Sequence, residues 1–367
     1  MLKVEKRTVT TGRAAVIRST LAMIVAILLA FVVAGLLIIA VGVNPFEAYG
    51  ALFEGAFGSA YRRGETFLRM TPLLMISLGV AIGYRTGMFN MGGEGQFAIG
   101  MIAGTVVYLN VPAGPVVTTI LAMLAAAVAG AIYCGFPGAL KAKFGVSESI
   151  INIMLNYVAA LWLSRLLNSI LKGPKGTLPQ TEMIDEALFI PLLVDGTRLH
   201  WGFVGAMILA VVFYIILFHT PLGYKFRATG SNINAARYAG FNVVRLQILA
   251  MAISGALTGL AGCIEIGAVQ HRLMEGISAN YGWDAIPVAL IGKQNPLLII
   301  LSSLLFAALK VGSNAMQTAC GVPNNLSSVL QGIVVLFALG SNWFVRYRIR
   351  FVKKERPTKR KGAVTNG

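Results

Sequence analysis

Residues Leu21 to Val43 read LAMIVAILLAFVVAGLLIIAVGV, an apolar run without a single charge. As a helix rising about 1.5 Å per residue, it is long enough to cross a hydrocarbon core of roughly 30 Å. A secretory signal would have a shorter apolar region and a small-residue cleavage site, so this run is expected to persist as an anchor helix. The rest of the chain points to the same solvent. Of 367 residues, 56% are hydrophobic and 12% charged, against roughly 25% charged in a soluble domain. Most of this surface faces lipid.

The formal net charge of +17 is concentrated in four places. Residues 1–20 hold five Lys/Arg and one Glu, residues 220–245 hold four with no acid, Lys141 and Lys143 add two, and residues 341–367 hold nine with one Glu. Basic loops flanking apolar spans follow the positive-inside rule. A nucleic-acid reader would need a folded basic face with aromatics or a groove-binding helix, and neither is legible here, so nucleic acid is not an expected partner.

Two basic tails on the cytoplasmic side require an even number of crossings. Ten are expected, near 21–43, 67–84, 90–110, 115–139, 149–171, 201–219, 244–268, 278–292, 296–313 and 325–341. The fold class is therefore all-α: a polytopic membrane protein with broken or re-entrant segments. A single membrane domain, 21–341, is flanked by basic cytoplasmic tails at 1–20 and 342–367. This path puts residues 220–243 on the cytoplasmic side and 172–200 outside. The outer stretch has three prolines and four acids against three basic residues, the composition of an ordered loop rather than a helix. Glycines such as Gly79, Gly83, Gly255, Gly259 and Gly262 allow close helix approach.

Two segments break the apolar pattern. GYRTGMFNMGGEGQFAIG (Gly83–Gly100) places Arg85, Asn90, Glu94 and Gln96 among six glycines. Irregular backbone at membrane depth occurs where it is buried in protein or lines a wet cavity, and broken helices are how transporters build solute sites. An ionised Glu94 there needs a partner, for which Arg85 is the candidate. The alternative is a plain cytoplasmic turn. GWDAIPVALIGKQNPL (Gly282–Leu297), with Trp283, Asp284 and two prolines, reads as a re-entrant counterpart. Its Gly292-Lys293 is no P-loop, since no Ser or Thr follows the lysine.

Between them, Asn152 and Asn156 share one helical face with Glu148 a turn earlier. They read equally as cavity-lining amides or as interhelical bonds. Lys310 reads as a structural residue that snorkels from the outer end of its span. In the cytoplasmic loop, Ser231 or Asn232 caps a short helix, Asn234–Ala239, that Gly240 stops. Ala235 and Ala236 leave room for close docking, and Arg227 and Arg237 offer ionic contacts to a partner. The alternative is a helix resting on anionic lipid.

Cys134, Cys263 and Cys320 are far apart, without metal-ligand spacing. No HExxH, GxSxG or Ser/His/Asp pattern accompanies His200, His219 and His271, so the chain is not expected to be an enzyme.

The segment FNMGGEGQ (Phe89–Gln96) resembles the FNIGGEGQ-like motif of the nucleoside and simple-sugar branch of ABC importer permeases, in the branched-chain amino acid, ribose and nucleoside group. GSNINAARYAGFNV (Gly230–Val243) resembles that branch's coupling loop, and SGALTGLAG (Ser254–Gly262) and NYGWDAIPVALIGKQNPL (Asn280–Leu297) are similar to it as well. The resemblance spans nearly the whole chain. It implies a multi-pass permease in a bacterial inner or plasma membrane, an identical or paralogous second permease, and an extracytoplasmic binding protein. It also implies a cytosolic ATPase docked on Gly230, Asn234, Ala235, Ala236, Arg237 and Gly240. ATP would be bound by that subunit and no cofactor by this chain. The expected cargo is a purine nucleoside, with simple sugars second and branched-chain amino acids as a further alternative. The expected path is lined by Asn90, Glu94, Gln96, Asn152, Asn156, Trp283 and Asp284. The competing class is an ion-coupled secondary transporter with Glu94 and Asp284 as coupling carboxylates.

Overall fold

The computed structural model describes residues 2–6, 13–173 and 178–351, with side chains over 21–173, 178–323 and 328–341. Two bodies make it up, residues 38–331 and residues 1–37 with 332–367. In chain order the elements are β1 (Leu2–Lys6), α1 (Arg13–Ala40), α2 (Pro45–Phe57), α3 (Ala60–Arg85), α4 (Gly93–Asn110), α5 (Pro115–Phe144), α6 (Glu148–Leu167), α7 (Gly202–His219), α8 (Pro221–Ser231), α9 (Ile233–Tyr238), α10 (Val243–Glu265), α11 (Tyr281–Ile291), α12 (Pro296–Cys320), α13 (Asn324–Arg346) and β2 (Tyr347–Phe351).

Every one of the ten expected spans falls on a helix. Among the described residues, seven helices have both the length and the apolar composition to cross a membrane: α1, α3, α5, α6, α7, α10 with the π-turn Ile266–Gln270 that extends it, and α12. The chain is a polytopic all-α membrane protein. In the smaller body, α1 begins at Arg13 rather than Leu21, inside what the sequence reads as a tail, and β1 pairs antiparallel with β2, Leu2 opposite Phe351. The basic stretch beyond Phe351 lies outside the described residues.

Two helices were not expected. Asn44 accepts from Phe46 N at 3.0 Å and Pro45 opens α2, a short amphipathic helix that buries Ala48, Leu52 and Ala56. Thr220 caps α8 in the same way, accepting from Gly223 N at 3.2 Å. The loop expected at 220–243 is thus a helix pair, α8 and α9. The stretch 178–200 carries the 3-10 turn Glu186–Leu188 and isolated β-bridges from Gln180 to Met274 and from Leu192 to His200. It is strapped to the segment after α10, with Thr181 N to Leu273 O at 3.0 Å, Ile184 N to His271 O at 2.9 Å and Ile190 N to Gly267 O at 2.9 Å.

The centre of the larger body is α3, 89% of whose apolar window is buried, against α10, α11, α12 and α7. The α5–α10 and α4–α10 seams close on glycine. A Cβ on Gly255 would run into Gly130 O and Cys134, one on Gly259 into Ala126 O, and one on Gly100 into the Gly259 backbone. Lipid is as apolar as the helices, so close packing of this kind, rather than water exclusion, holds the bundle together. Gly255→Ala puts a methyl against backbone that has no room to retreat, and is expected to lower stability by about 1–3 kcal/mol. Gly205→Ala, with nothing within 4 Å of the new methyl, should unfold at the wild-type temperature in the same detergent micelle.

Candidate functional site

The backbone between α3 and α4, from Thr86 to Gly92, is not helical, and Gly87 at φ 75° makes a turn that suits a residue without Cβ. Neighbouring side chains satisfy its polar groups. Asn90 and Gln96 bond amide to amide at 2.9 and 2.8 Å, and Asn90 also donates to Ser254 Oγ at 2.8 Å. Gly92 N donates to Asn90 Oδ1 at 2.9 Å. From α6, Asn156 accepts from Gly95 N at 2.8 Å and donates to Met91 O at 2.9 Å. Glu148 accepts from Phe89 N at 3.1 Å and pairs with Lys141 at 3.1 Å.

The second interruption meets the first. The 11 residues of α11 rise only about 16 Å, half of a bilayer core, as a re-entrant helix does. A Cβ on Gly93 would lie 2.8 Å from Gly282 Cα, so the starts of α4 and α11 touch. Glu94 Oε1 accepts from Gly282 N at 2.8 Å, an acidic side chain at a helix N-terminus where the peptide dipoles favour it. Tyr281 beside it accepts from Arg69 at 3.1 Å. Ahead of α11, Ala279 and Asn280 both adopt positive φ, 45° and 65°. Lys310 of α12 holds that bend: its Nζ is 2.6 Å from Ala279 O and 2.7 Å from Asp284 Oδ2, and lies over the Tyr281 ring at 4.9 Å.

A cavity of about 120 Å³ lies between α4, α6 and the segment ahead of α11, lined by Glu94, Ala98, Met101, Asn156, Ala160, Leu163, Gly276, Ile277 and Ser278. Of the seven residues expected on the path, Glu94 and Asn156 border it. Asn90 and Gln96 are buried against each other, and Asn152 is buried under Gly92. Trp283 is exposed on α11, and Asp284 turns to Lys310. The Arg85–Glu94 pairing is corrected too. Arg85 donates to Gln294 O and Lys293 O at 3.3 and 3.2 Å, while the partner of Glu94 is a backbone N–H. Lys310 does not snorkel alone, since it and Asp284 are 22% and 23% exposed as a pair. Opposite charges in two neighbouring apolar runs were the signal that would have found them. Glu265, buried on α10 and bonded by Gln270 at 3.2 Å, and Arg69 were also missed.

On α9, Asn232 is the cap, accepting from Asn234 N and Ala235 N at 3.0 and 3.1 Å. Gly240, at φ 79°, closes the helix with Gly240 N to Arg237 O at 2.9 Å and Phe241 N to Ala236 O at 3.0 Å, both bonds of a Schellman motif. Ala236 is only 2% exposed and packs into its own chain, while Tyr238 is 94% exposed. Asn234, Ala235, Arg237 and Tyr238 form the free face.

The family of permease components of branched-chain amino acid transport systems matches residues 64–339. The chain belongs to it. The permease is 35% identical over 336 residues to the glucose ABC transporter permease protein TsgB13 of Haloferax volcanii, covering 89% of this chain and 88% of the relative. It is 34% identical to the guanosine ABC transporter permease protein NupP of Bacillus subtilis, over 93% and 97% of the two chains. It is 32% identical to the nucleoside ABC transporter permease protein NupB of Lactococcus lactis, over 94% and 98%.

Removing one end of the Lys310–Asp284 pair strands the other charge within the bundle. Lys310→Met and Asp284→Asn are each expected to destabilise the permease by about 1–3 kcal/mol. The double variant should recover part of that loss in thermal unfolding.

Proposed function

We propose that the permease conducts nucleosides, or simple sugars, through the cavity between α4, α6 and the segment ahead of α11, as one subunit of an ATP-driven importer. The observation that carries this reading is the Glu94 carboxylate, fixed by Gly282 N and bordering a 120 Å³ space. An ionised carboxylate has about four lone-pair sites. With one engaged by Gly282, the others match the neighbouring hydroxyls of a sugar ring. The space is somewhat smaller than a cavity of about 150 Å³ that takes benzene, so in this conformation it admits the edge of a sugar moiety rather than a whole nucleoside. Ribosides and hexoses share that moiety, which fits relatives named for guanosine, nucleosides and glucose. One amide, Asn156, and one carboxylate border the space, enough to orient such a solute without holding it fast.

ATP hydrolysis falls to a separate cytosolic ATPase, docked on Asn234, Ala235, Arg237 and Tyr238 of α9. Ala236 is withdrawn from that surface. Gly230, at the end of α8, packs directly on Arg85 O and the Gly87 backbone, so movement of α8 and α9 bears on the Thr86–Gly92 break. A binding protein delivers solute to the side of residues 178–200, and a second permease completes the pathway.

The test is solute-stimulated ATP hydrolysis and uptake in proteoliposomes with the cognate ATPase and binding protein. Glu94→Gln is expected to reduce uptake about tenfold, the scale of one lost charge-assisted hydrogen bond. Ala235→Glu and Tyr238→Ala should leave folding intact and uncouple hydrolysis from uptake, while Ala236→Glu lowers folding stability instead. Solute uptake driven by an ion gradient and indifferent to ATP would overturn the reading.

A further inference from the structure

Two arginines share one aromatic ring where α3, α7 and α8 meet. Arg85 ends α3 and Arg227 lies on α8, with their guanidinium carbons 5.4 and 5.2 Å from the centroid of Phe218 on α7. Like charges held around one ring repel unless something offsets them. No carboxylate does so among the described residues. The four ion pairs there engage Glu54, Glu148, Glu65 and Asp284, each with another cation, and no acid occurs in the sequence from 220 to 245. The bonds of Arg85 go to the carbonyls of Lys293 and Gln294. Arg227 keeps its Nε buried with no hydrogen-bond partner, a donor that costs free energy until an acceptor reaches it.

We infer that Arg85 and Arg227 form a binding site for a phosphate group, the chemistry shared by an anionic phospholipid headgroup and free phosphate. Guanidinium forks match phosphate oxygens in geometry as well as charge. The setting favours the lipid source. Val211 and Ile215 stand exposed on α7 at helical spacing, an apolar stripe that continues to Phe218 and seats acyl chains directly beside the arginines. Basic pockets between spans hold headgroups in this manner. The bound phosphate also reaches the coupling machinery, because Gly230 at the end of α8 packs on Arg85 O. Lipid charge is thereby read by the same turn that carries motion to the Thr86–Gly92 break. The inference does not depend on which solute is carried.

The experiment reconstitutes the full transporter in nanodiscs of phosphatidylcholine, with and without phosphatidylglycerol. Native mass spectrometry counts retained lipids, and solute-stimulated ATP hydrolysis is read in parallel. The expected result is retained phosphatidylglycerol and faster hydrolysis in its presence. Arg227→Gln should lose both by at least about fivefold, the scale of one basic side chain at a lipid surface, and Arg227→Lys should keep most of the effect. Stimulation by inorganic phosphate in neutral nanodiscs would assign the same site to the free ion. If wild type retains no anionic lipid and responds to neither source, the site is absent. If Arg227→Gln impairs hydrolysis equally in neutral and anionic nanodiscs, the arginine is an ATPase contact or a packing residue, and the inference fails. The wild-type comparison between the two lipid compositions tests the site even where a variant does not fold.

Discussion

A peptide group that leaves a helix inside a bilayer loses its intrahelical partner and finds no water to replace it. Each such group costs several kcal/mol unless the protein supplies a substitute. The break between α3 and α4 meets this constraint with side chains drawn from distant positions. Asn156 on α6 bonds Gly95 N and Met91 O, Glu148 at the start of α6 bonds Phe89 N, and Asn90 holds Gly92 N, Gln96 and Ser254 together. With these in place the chain can turn inside the protein, away from water, and present the first residues of α4 to those of α11.

The same constraint explains the use of glycine. Backbone-to-backbone contacts at Gly93–Gly282, Gly100–Gly259 and Gly130–Gly255 bring the two interrupted segments and their supporting helices close enough for short polar side chains to span the gaps. A single methyl at such a seam displaces a backbone and the amide bonds anchored to it. Packing and polar satisfaction are therefore one problem in this bundle, which is why α10 carries both the glycine ladder and Ser254.

Much of this architecture was legible in the sequence, because apolar length and charge placement are local properties. The positions of the long apolar helices, the break at Gly83–Gly100 and the capped helix ended by Gly240 all follow from a few consecutive residues. Pairings across long separations were not legible. Asn90, Gln96 and Asn152 read as path residues because an amide looks the same in sequence whether it faces a cavity or is buried against protein, as Asn90 and Gln96 are against each other and Asn152 is under Gly92. Arg85 is near Glu94 in sequence, yet the turn between them sends one to the α11–α12 corner and the other to the start of α11. Ala236 shows the same limit in reverse. A small residue on a short helix suggests a docking surface, but on this six-residue helix Ala236 is the one residue turned into the chain, and which residue that is depends on what α8 and α10 cover.

Charge placement in the bundle separates two tasks. Lys310 and Asp284 neutralise each other and fix the left-handed bend at Ala279 and Asn280, a conformation worth of order 1–3 kcal/mol in strain that persists only where its surroundings hold it. Glu94, by contrast, is held through the Gly282 backbone N–H at the start of α11, where the helix dipole favours an acid. Had Arg85 paired with Glu94, a bidentate guanidinium would occupy about half of the carboxylate's lone-pair sites and bring a second charge to the cavity edge. Lys310 is bonded to Asp284 and to backbone, whereas the Glu94 carboxylate takes one backbone N–H at the cavity edge, so the charge that fixes the bend and the charge that borders the cavity sit on separate groups.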